Sequence, residues 1–248
     1  HEKQTQQVSI PKGVVIPEGD QRTKTTANVQ TAILVPNQVG YVHVRSFDAA
    51  LLRKDAPLLR GFFASIREYP YLVIDIRHNS GGTDAYWQEA LVAPLTEQKL
   101  EQTQTICFRS GEHAEKAVKS AIGMGYFFIR QPRSLLTARA NVPPELASEA
   151  FADPVMFKRT VHPLDPVGFA ARITLLVDDW VYSAAEAFAA FSKATGFATL
   201  VGTRTGGDGP GFTPLLSSLP HTGLVFRMSY TMGLNPDGTA NEETATPP

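Results

Sequence analysis

The sequence predicts an α/β fold with a mixed, partly parallel sheet and helices packed on it. Residues 71–76 form a continuous apolar run of the kind that a buried parallel strand requires. Further along, a strand pattern at 173–177 precedes a helical pattern at 183–193, and another strand pattern follows at 197–201. Strand–helix–strand alternation of this kind implies right-handed crossovers between parallel strands. The fold class therefore follows from three strands and one helix.

The other elements of the first half follow from periodicity and from the positions of Gly and Pro. Residues 1–30 are polar and interrupted by Gly and Pro, which predicts an arm with one short strand. Alternation at 40–45 predicts a strand. Apolar residues at helical spacing over 47–68 predict helical structure in which Pro57 ends one helix or starts another. A further helix is predicted from about residue 83 to 95.

The second half contains one long segment without a clear period. Residues 98–170 carry Gly, Pro and short helical fragments, and we expect them to form an insertion or lid. A strand is predicted at 224–230, before a turn-rich tail. We therefore expect an N-terminal arm at 1–37, the end of a longer N-terminal region, and a core at 38–248 that carries the insertion.

Composition excludes several classes of protein. The chain has 248 residues, with 23 Lys and Arg, 24 Asp and Glu, and a formal net charge of −1. This balance argues against a nucleic-acid-binding face spread over the whole protein. Cys107 is the single cysteine, so an internal disulfide and a cysteine-rich zinc site are excluded. No apolar run approaches the roughly 18 residues that span a bilayer. We expect no metal and no cofactor.

The first candidate for chemistry is the junction between the strand at 173–177 and the helix that follows it. Ser183 lies at this junction, where the unpaired amide of Ala184 would stabilise a developing oxyanion. Open α/β sheets bind their ligands at this end of their strands. The spacing from Ser183 to Glu186 also fits a capping box, in which the hydroxyl only satisfies a backbone amide. This motif alone favours the cap, because caps greatly outnumber nucleophiles.

Two glycine-rich turns follow strands elsewhere in the chain. The first, at 75–82, ends in paired glycines, which let a ligand reach the backbone amides. Asp75 and Arg77 can form an ion pair that shapes this turn. The second turn lies at 202–209. Neither has the spacing of a nucleotide-binding loop, so each alone predicts only a tight turn.

In this order, the three elements resemble the serine peptidase family of C-terminal processing peptidases, tricorn-type proteases and interphotoreceptor-retinoid-binding-protein modules. The family pattern D-x-R-x-N-x-G-G is matched by Asp75, Arg77, Asn79, Gly81 and Gly82. The pattern S-A-[AS]-E is matched at 183–186. The pattern V-G-x-x-T-x-G is matched by Val201, Gly202, Thr205 and Gly207. The resemblance covers about residues 38–97 and 171–248, and order plus spacing makes it far more specific than any single motif.

The resemblance implies a Clp-protease/crotonase-like core of repeated β-β-α units and a serine peptidase activity. Ser183 would be the nucleophile, which reverses the preference for the cap. The oxyanion hole would consist of the amides of Ala184 and Gly82, with Gly82 chosen narrowly over Gly81. Gly81 and Gly207 would belong to the loops that support the site.

The general base is left open by the resemblance, although a serine hydroxyl needs one. The processing peptidases use a lysine in T-x-G-K-G, but Asp208 stands at that position here. Lys193 lies on the helix after Ser183 and not in that loop, so a Ser–Lys dyad is not expected. The tricorn-like branch uses a histidine and a glutamate, and its C-terminal pattern selects Glu242 over Glu243 as the glutamate.

The histidine of the tricorn-like branch lies in a segment like L-x-D-x-H-T before the first core strand, and this sequence has no such segment. We therefore expect the base to lie outside this chain, and the chain to be a fragment of weak or no activity. The six histidines fit the surface, the core or a tag remnant better than the base: His1, His43, His78, His113, His162 and His221.

The leading prediction is a tricorn-like serine endopeptidase that cleaves a peptide or protein substrate through an acyl-enzyme. The first alternative is a non-catalytic module that binds hydrophobic ligands on the same fold, because the base is missing. A crotonase-type acyl-CoA enzyme ranks last, since no adenine or pyrophosphate site is evident. No segment resembles a PDZ domain. The resemblance implies a periplasmic, cell-surface or secreted location, and the oligomeric state stays open.

Overall fold

The computed structural model describes residues 27–123, 128–137 and 141–248, so most of the predicted arm, including His1, lies outside the described residues. The strands are β1 (Val29–Val35), β2 (Val39–Val44), β3 (Tyr71–Asp75), β4 (Leu100–Phe108), β5 (Phe128–Arg130), β6 (Val155–Val161), β7 (Arg172–Val177), β8 (Thr199–Gly202), β9 (Leu215–Ser218), β10 (Val225–Met228) and β11 (Thr231–Leu234). The helices are α1 (Ala49–Ser65), α2 (Asp84–Trp87), α3 (Glu112–Gly123), α4 (Arg133–Thr137), α5 (Ala184–Thr195) and α6 (Asn241–Thr244). A π-helical turn at Gln88–Val92 extends α2, and a 3-10 turn lies at Pro144–Ala147.

The main sheet has the strand order β1-β2-β3-β7-β8. Strands β2, β3, β7 and β8 are parallel, and β1 pairs antiparallel with β2. The predicted mixed α/β architecture is therefore confirmed. The strand β3 is central because its apolar residues are covered from both sides, and Leu72 and Ile74 are fully buried. Its carboxyl end and that of β7 lie side by side, with Asp75 in register with Leu176.

Helix α1 corrects one prediction, because it continues through Pro57 instead of ending there. Proline removes one helical hydrogen bond and crowds the preceding turn, so it usually breaks a helix. Here the buried side chains Leu59 and Phe63 follow Pro57 on the core side of the same helix. Their burial holds the second half of α1 against the sheet and outweighs the local cost of the proline.

Residues 98–170 contribute a second, antiparallel sheet with the order β11-β4-β6-β5. Strand β11 enters this sheet from the C-terminal part of the chain and pairs with β4 from Thr105 to Phe108. The buried Arg159 on β6 bonds Gln104 of β4 and Asp84 of α2. These contacts tie the second sheet to the helix layer of the first. The assignment of residues 98–170 as an insertion or lid stays a prediction.

The core consists of one large apolar cluster and two smaller ones. The large cluster lies between the main sheet and helices α1, α2 and α5, and it includes the stacked rings of Trp87 and Phe188. One of the smaller clusters lies on the second sheet, where Phe108 packs against Phe128 and Phe212. The apolar side of helix α5 packs in the large cluster together with residues of β3 and β7. This packing fixes the start of α5 relative to these two strands.

Candidate active site

Ser183 occupies the residue before α5 and has an unusual backbone conformation, with φ 55° and ψ −125°. A non-glycine residue in such a conformation carries about 1–3 kcal/mol of strain, which the surroundings must offset. Its side chain makes no capping hydrogen bond to the helix. The capping-box interpretation is therefore wrong, because the hydroxyl does not satisfy a helix amide. Ser183 is half-buried and lies in the tight turn between β7 and α5.

The three sequence motifs meet at the turn that carries Ser183. The amide of Tyr182 donates to the carbonyl of Asn79 in the first glycine loop, over 3.3 Å. On the other side, Tyr182 forms a parallel bridge with Gly207 of the second glycine loop. The amide of Gly206 donates to the carbonyl of Val181 over 2.9 Å. Ser183 is therefore held between two loops that lie far apart in the sequence.

The paired glycines differ in what their amides do. The amide of Gly81 donates to the side-chain oxygen of Asn79 over 2.9 Å. Phe47 pairs with Gly82 through a bridge whose hydrogen bonds use the carbonyl of Gly81 and the amide of Thr83, so the amide of Gly82 is not part of it. A Cβ atom on Gly81 would lie 2.8 Å from both the Cβ of Ser183 and the amide nitrogen of Ala184. Only glycine fits at that position.

The polar side chains of the first loop are structural. Arg77 and Asp75 form the predicted ion pair, with Nη2 and Oδ2 separated by 2.6 Å. Tyr41 donates to the same Asp75 oxygen over 2.7 Å, and burial together with this hydrogen bond raises the pKa of Tyr41 well above its ordinary value. Asn79 is fully buried and donates to the carbonyl of Val44 over 3.0 Å. These bonds fix the loop that faces Ser183.

Glu186 has a different partner from the one that a capping box predicts. It is fully buried, and its Oε1 accepts from Asn241 Nδ2 over 2.9 Å and from Thr246 Oγ1 over 2.6 Å. The side-chain oxygen of Asn241 in turn accepts from the amide of Gly209 over 3.0 Å. In the sequence, Asn241 and Thr246 stand at matching positions of the C-terminal family pattern, but no bond from either residue to Glu186 was predicted. The indicator available there was that Asn241 precedes the chosen glutamate in the C-terminal pattern.

Among known families, peptidase family S41 matches residues 38–248 of this sequence. The chain belongs to that family. This membership confirms the resemblance on which the serine peptidase prediction rests. No curated protein sequence matches the chain.

Several solved structures share the fold of this chain at low sequence identity. A putative peptidase from Parabacteroides merdae ATCC 43184 has 20% identity and a TM-score of 0.62 over 91% of this chain and 57% of its own. Mature CPAF has 19% identity and a TM-score of 0.59, over 85% of this chain and 46% of its own. The photosystem II D1 C-terminal processing protease has 15% identity and a TM-score of 0.53, over 90% and 48%. This chain thus spans about half the length of those proteins.

In this S41 family member, the candidate acid Glu242 lies next to the second glycine loop, which contains Asp208. Gly207 lies against α6, since a Cβ atom there would be 2.6 Å from the carbonyl oxygen of Asn241. Burial, then the negative charges of Asp208 and Glu243, raise the pKa of Glu242. Burial also raises the pKa of Asp208, and Arg227 opposes this shift. Glu242 therefore lies beside the second glycine loop, where the charge of Asp208 in that loop acts on it.

The structure brings no base to Ser183 among the residues it describes. Lys193 donates to the carbonyl of Pro247 over 2.5 Å. Burial lowers the pKa of His43, and His78 pairs with Asp178 through Nδ1 over 3.3 Å. His162 and His221 are exposed, and the side chain of His113 lies outside the described part. No histidine or lysine in the described ranges hydrogen-bonds Ser183.

Two absences concern only the described part of the chain. No helix there is long and apolar enough to cross a membrane. No group of three or more His, Cys, Asp or Glu side chains there is arranged to hold a metal ion.

Proposed function

We propose that the protein is a serine endopeptidase that hydrolyses peptide bonds through an acyl-enzyme at Ser183. The observation that carries the proposal is the backbone of Ser183, which is held in a strained conformation without a capping bond, next to the paired glycines. Strain of this kind persists only where the surroundings enforce it, and it clusters at functional sites. The proposal includes a Clp-protease/crotonase-like arrangement of β-β-α units around the site.

In the proposed mechanism, Ser183 Oγ attacks the carbonyl carbon of the scissile bond while its proton passes to a base. The negative oxygen of the tetrahedral intermediate is stabilised by the amides of Ala184 and Gly82, which start a helix and follow a tight turn. The base then gives its proton to the leaving amine, and an acyl-enzyme remains. Water attacks this ester by the same route in reverse and frees Ser183.

The base is a histidine supplied from outside the described residues, and Glu242 orients it. Partial burial and the negative charges of Asp208 and Glu243 raise the pKa of Glu242. A cationic imidazolium would relieve that repulsion, so the environment favours the protonated base that forms during attack. We extend the proposal to a periplasmic, cell-surface or secreted location, which the resemblance implies and fractionation of the source cells would test.

A fluorophosphonate probe tests the proposal on the full-length gene product, because it reacts with an activated serine. We expect covalent labelling that Ser183→Ala abolishes and that Ser80→Ala, an exposed serine in the adjacent loop, leaves unchanged. Mass spectrometry of the labelled peptide would locate the adduct. Absence of labelling at Ser183 in the folded full-length protein would reject the peptidase mechanism and favour the ligand-binding alternative.

A further inference from the structure

A cavity of about 780 Å³ lies between α5, strand β4 and the C-terminal segment. It is lined by residues from these elements and from the turn after β11, including Gln102, Thr103, Lys193, Arg204 and Leu234. Ser183, Ala184 and Gly82 do not line it. The cavity is therefore separate from the residues assigned to the chemistry.

One wall of this cavity is a strand edge without a partner. On one side, β4 pairs with β6 from Leu100 to Ile106. On the other side, β11 pairs with β4 only from Thr105 to Phe108, because the chain turns away after Leu234. Within the described ranges, residues 100–104 have no strand beside them on that side. An open edge of this kind is a template for an added strand.

The cavity follows this edge. It contacts Gln102 and Gln104, which are buried, and also Thr103, which lies on the opposite, exposed face of β4. The lining also includes Met156 of β6, in register with Thr105, so the space runs around the open edge of β4 and onto the face that carries Thr103. The Oε1 atom of Gln102 is buried and has no hydrogen-bond partner in the described part of the chain, and the residue is 6% exposed. Such an acceptor requires a donor.

The mouth of the cavity carries two cations. Lys193 donates to the carbonyl of Pro247, and Arg204 donates to the carbonyl of Thr244. Lys193 also donates to the oxygen of Pro248 over 3.3 Å, and neither cation pairs with an Asp or Glu side chain among the residues that the structure describes. Burial together with the charge of Arg204 lowers the pKa of Lys193. The lining contains one acid, Asp237, and hydrogen bonds from Thr239 lower its pKa, so two cations face a single carboxylate. The site therefore retains positive charge that an anionic ligand would neutralise.

We propose that the cavity binds an extended peptide as an additional strand on β4, with a carboxylate of that peptide beside Lys193 and Arg204. Strand addition would satisfy the open backbone groups of residues 100–104. The carboxylate is an acidic side chain or a free C-terminus. In a peptidase, such a site binds a part of the substrate that lies at a distance from Ser183. Only this role as a substrate-binding site rests on the proposed function.

Binding is measured with the Ser183→Ala protein so that no cleavage occurs. The probe is a short fluorescein-labelled peptide of alternating Thr and Val that ends in Asp with a free carboxylate. Its binding is measured by fluorescence polarisation at low salt. We expect Lys193→Ala/Arg204→Ala to weaken binding about tenfold. The matched control, Arg53→Ala/Lys54→Ala on α1, removes the same charge from exposed positions and should leave the affinity unchanged. Equal affinity for both double variants would overturn the proposal.

A charge-reversal variant tests the site even if the double variant misfolds. Arg204→Glu should reverse the preference, so that an otherwise identical peptide ending in Lys-amide binds more tightly than the Asp peptide. A photocrosslinking residue at Thr103 should capture the peptide. Crosslinking to residues 1–26 or to a second copy would overturn the assignment of the occupant. Loss of probe labelling at Ser183 in the unmodified protein would reject the peptidase mechanism and leave this binding result intact.

Discussion

At Ser183 the backbone distinguishes a nucleophile from a helix cap. A capping serine takes an extended conformation and accepts from an amide of the first turn, whereas Ser183 has φ 55° and makes no such bond. The strain is enforced by neighbours: the amide of Tyr182 is bonded to Asn79, and Tyr182 also pairs with Gly207. The two glycine loops occur in the sequence together with the serine because their contacts hold its backbone in the strained conformation.

Gly81→Ala tests this enforcement. The new Cβ would lie 2.8 Å from the amide nitrogen of Ala184, at a residue whose φ is 99°. We expect an unfolding free energy lower by about 1–3 kcal/mol and probe labelling of Ser183 slower by roughly 100-fold, because the oxyanion donors are displaced. Urea unfolding and the labelling rate measure the two effects.

The control for Gly81→Ala is Gly196→Ala at the end of α5. Gly196 also has a positive φ, 71°, but nothing lies within 4 Å of its added Cβ. We expect a cost of about 1 kcal/mol from backbone strain alone and an unchanged labelling rate. Equal labelling rates for both variants would show that the close contact at Gly81 has no part in the site.

Among the elements, α6 is positioned by side chains and not by an apolar face. It has four residues, too few for a stable helix on its own. Asn241 joins it to Glu186 of α5 and to the amide of Gly209, so Glu242 stands beside the second glycine loop. The sequence pattern selected Glu242, but it contained no periodic signal for this connection because hydrogen bonds between distant residues leave none.

Asn241→Ala removes the bonds that join α6 to Glu186 and to the amide of Gly209. The buried carboxyl of Glu186 and the amide of Gly209 would each lose a partner, so we expect the unfolding free energy to fall by about 2–4 kcal/mol. Probe labelling should slow because Glu242 loses its position, and hydrogen exchange should accelerate in residues 241–246. Glu243→Ala on the same turn keeps the side-chain bonds of Asn241, so as a control it should leave the unfolding free energy and the exchange of residues 241–246 nearly unchanged. Unchanged hydrogen exchange in Asn241→Ala would show that Asn241 does not hold α6 at the site.

At the scale of the whole molecule, the main sheet was predictable and its partner was not. The strands predicted at 40–45, 71–76, 173–177 and 197–201 all occur in the main sheet with ends shifted by two residues or fewer, and the strand predicted at 224–230 occurs outside it as β10. Their apolar runs report burial, which a sequence displays directly. The second sheet escaped prediction because β11 and β4 pair across more than a hundred residues. Its strand β4 also mixes buried glutamines with apolar residues, which obscures the alternation.

The two sheets are joined by Arg159, and its removal should separate their unfolding. Arg159 Nη2 lies 2.8 Å from Asp84 Oδ2, and its guanidinium lies over the ring of Trp87 at 5.8 Å. Arg159→Ala leaves Asp84 and Gln104 without this partner, so we expect a loss of about 3 kcal/mol. Hydrogen exchange should then accelerate in β4 and β6 more than in the main sheet.

Lys158→Ala is the matched control for Arg159→Ala, since Lys158 is the preceding residue of β6 and pairs with Glu101 at an exposed position. An exposed ion pair contributes at most about 1 kcal/mol, so its loss should leave exchange in both sheets nearly unchanged. If exchange in Arg159→Ala instead rises equally in both sheets, the two unfold as one unit. The large apolar clusters, and not the arginine, would then carry the coupling between the sheets.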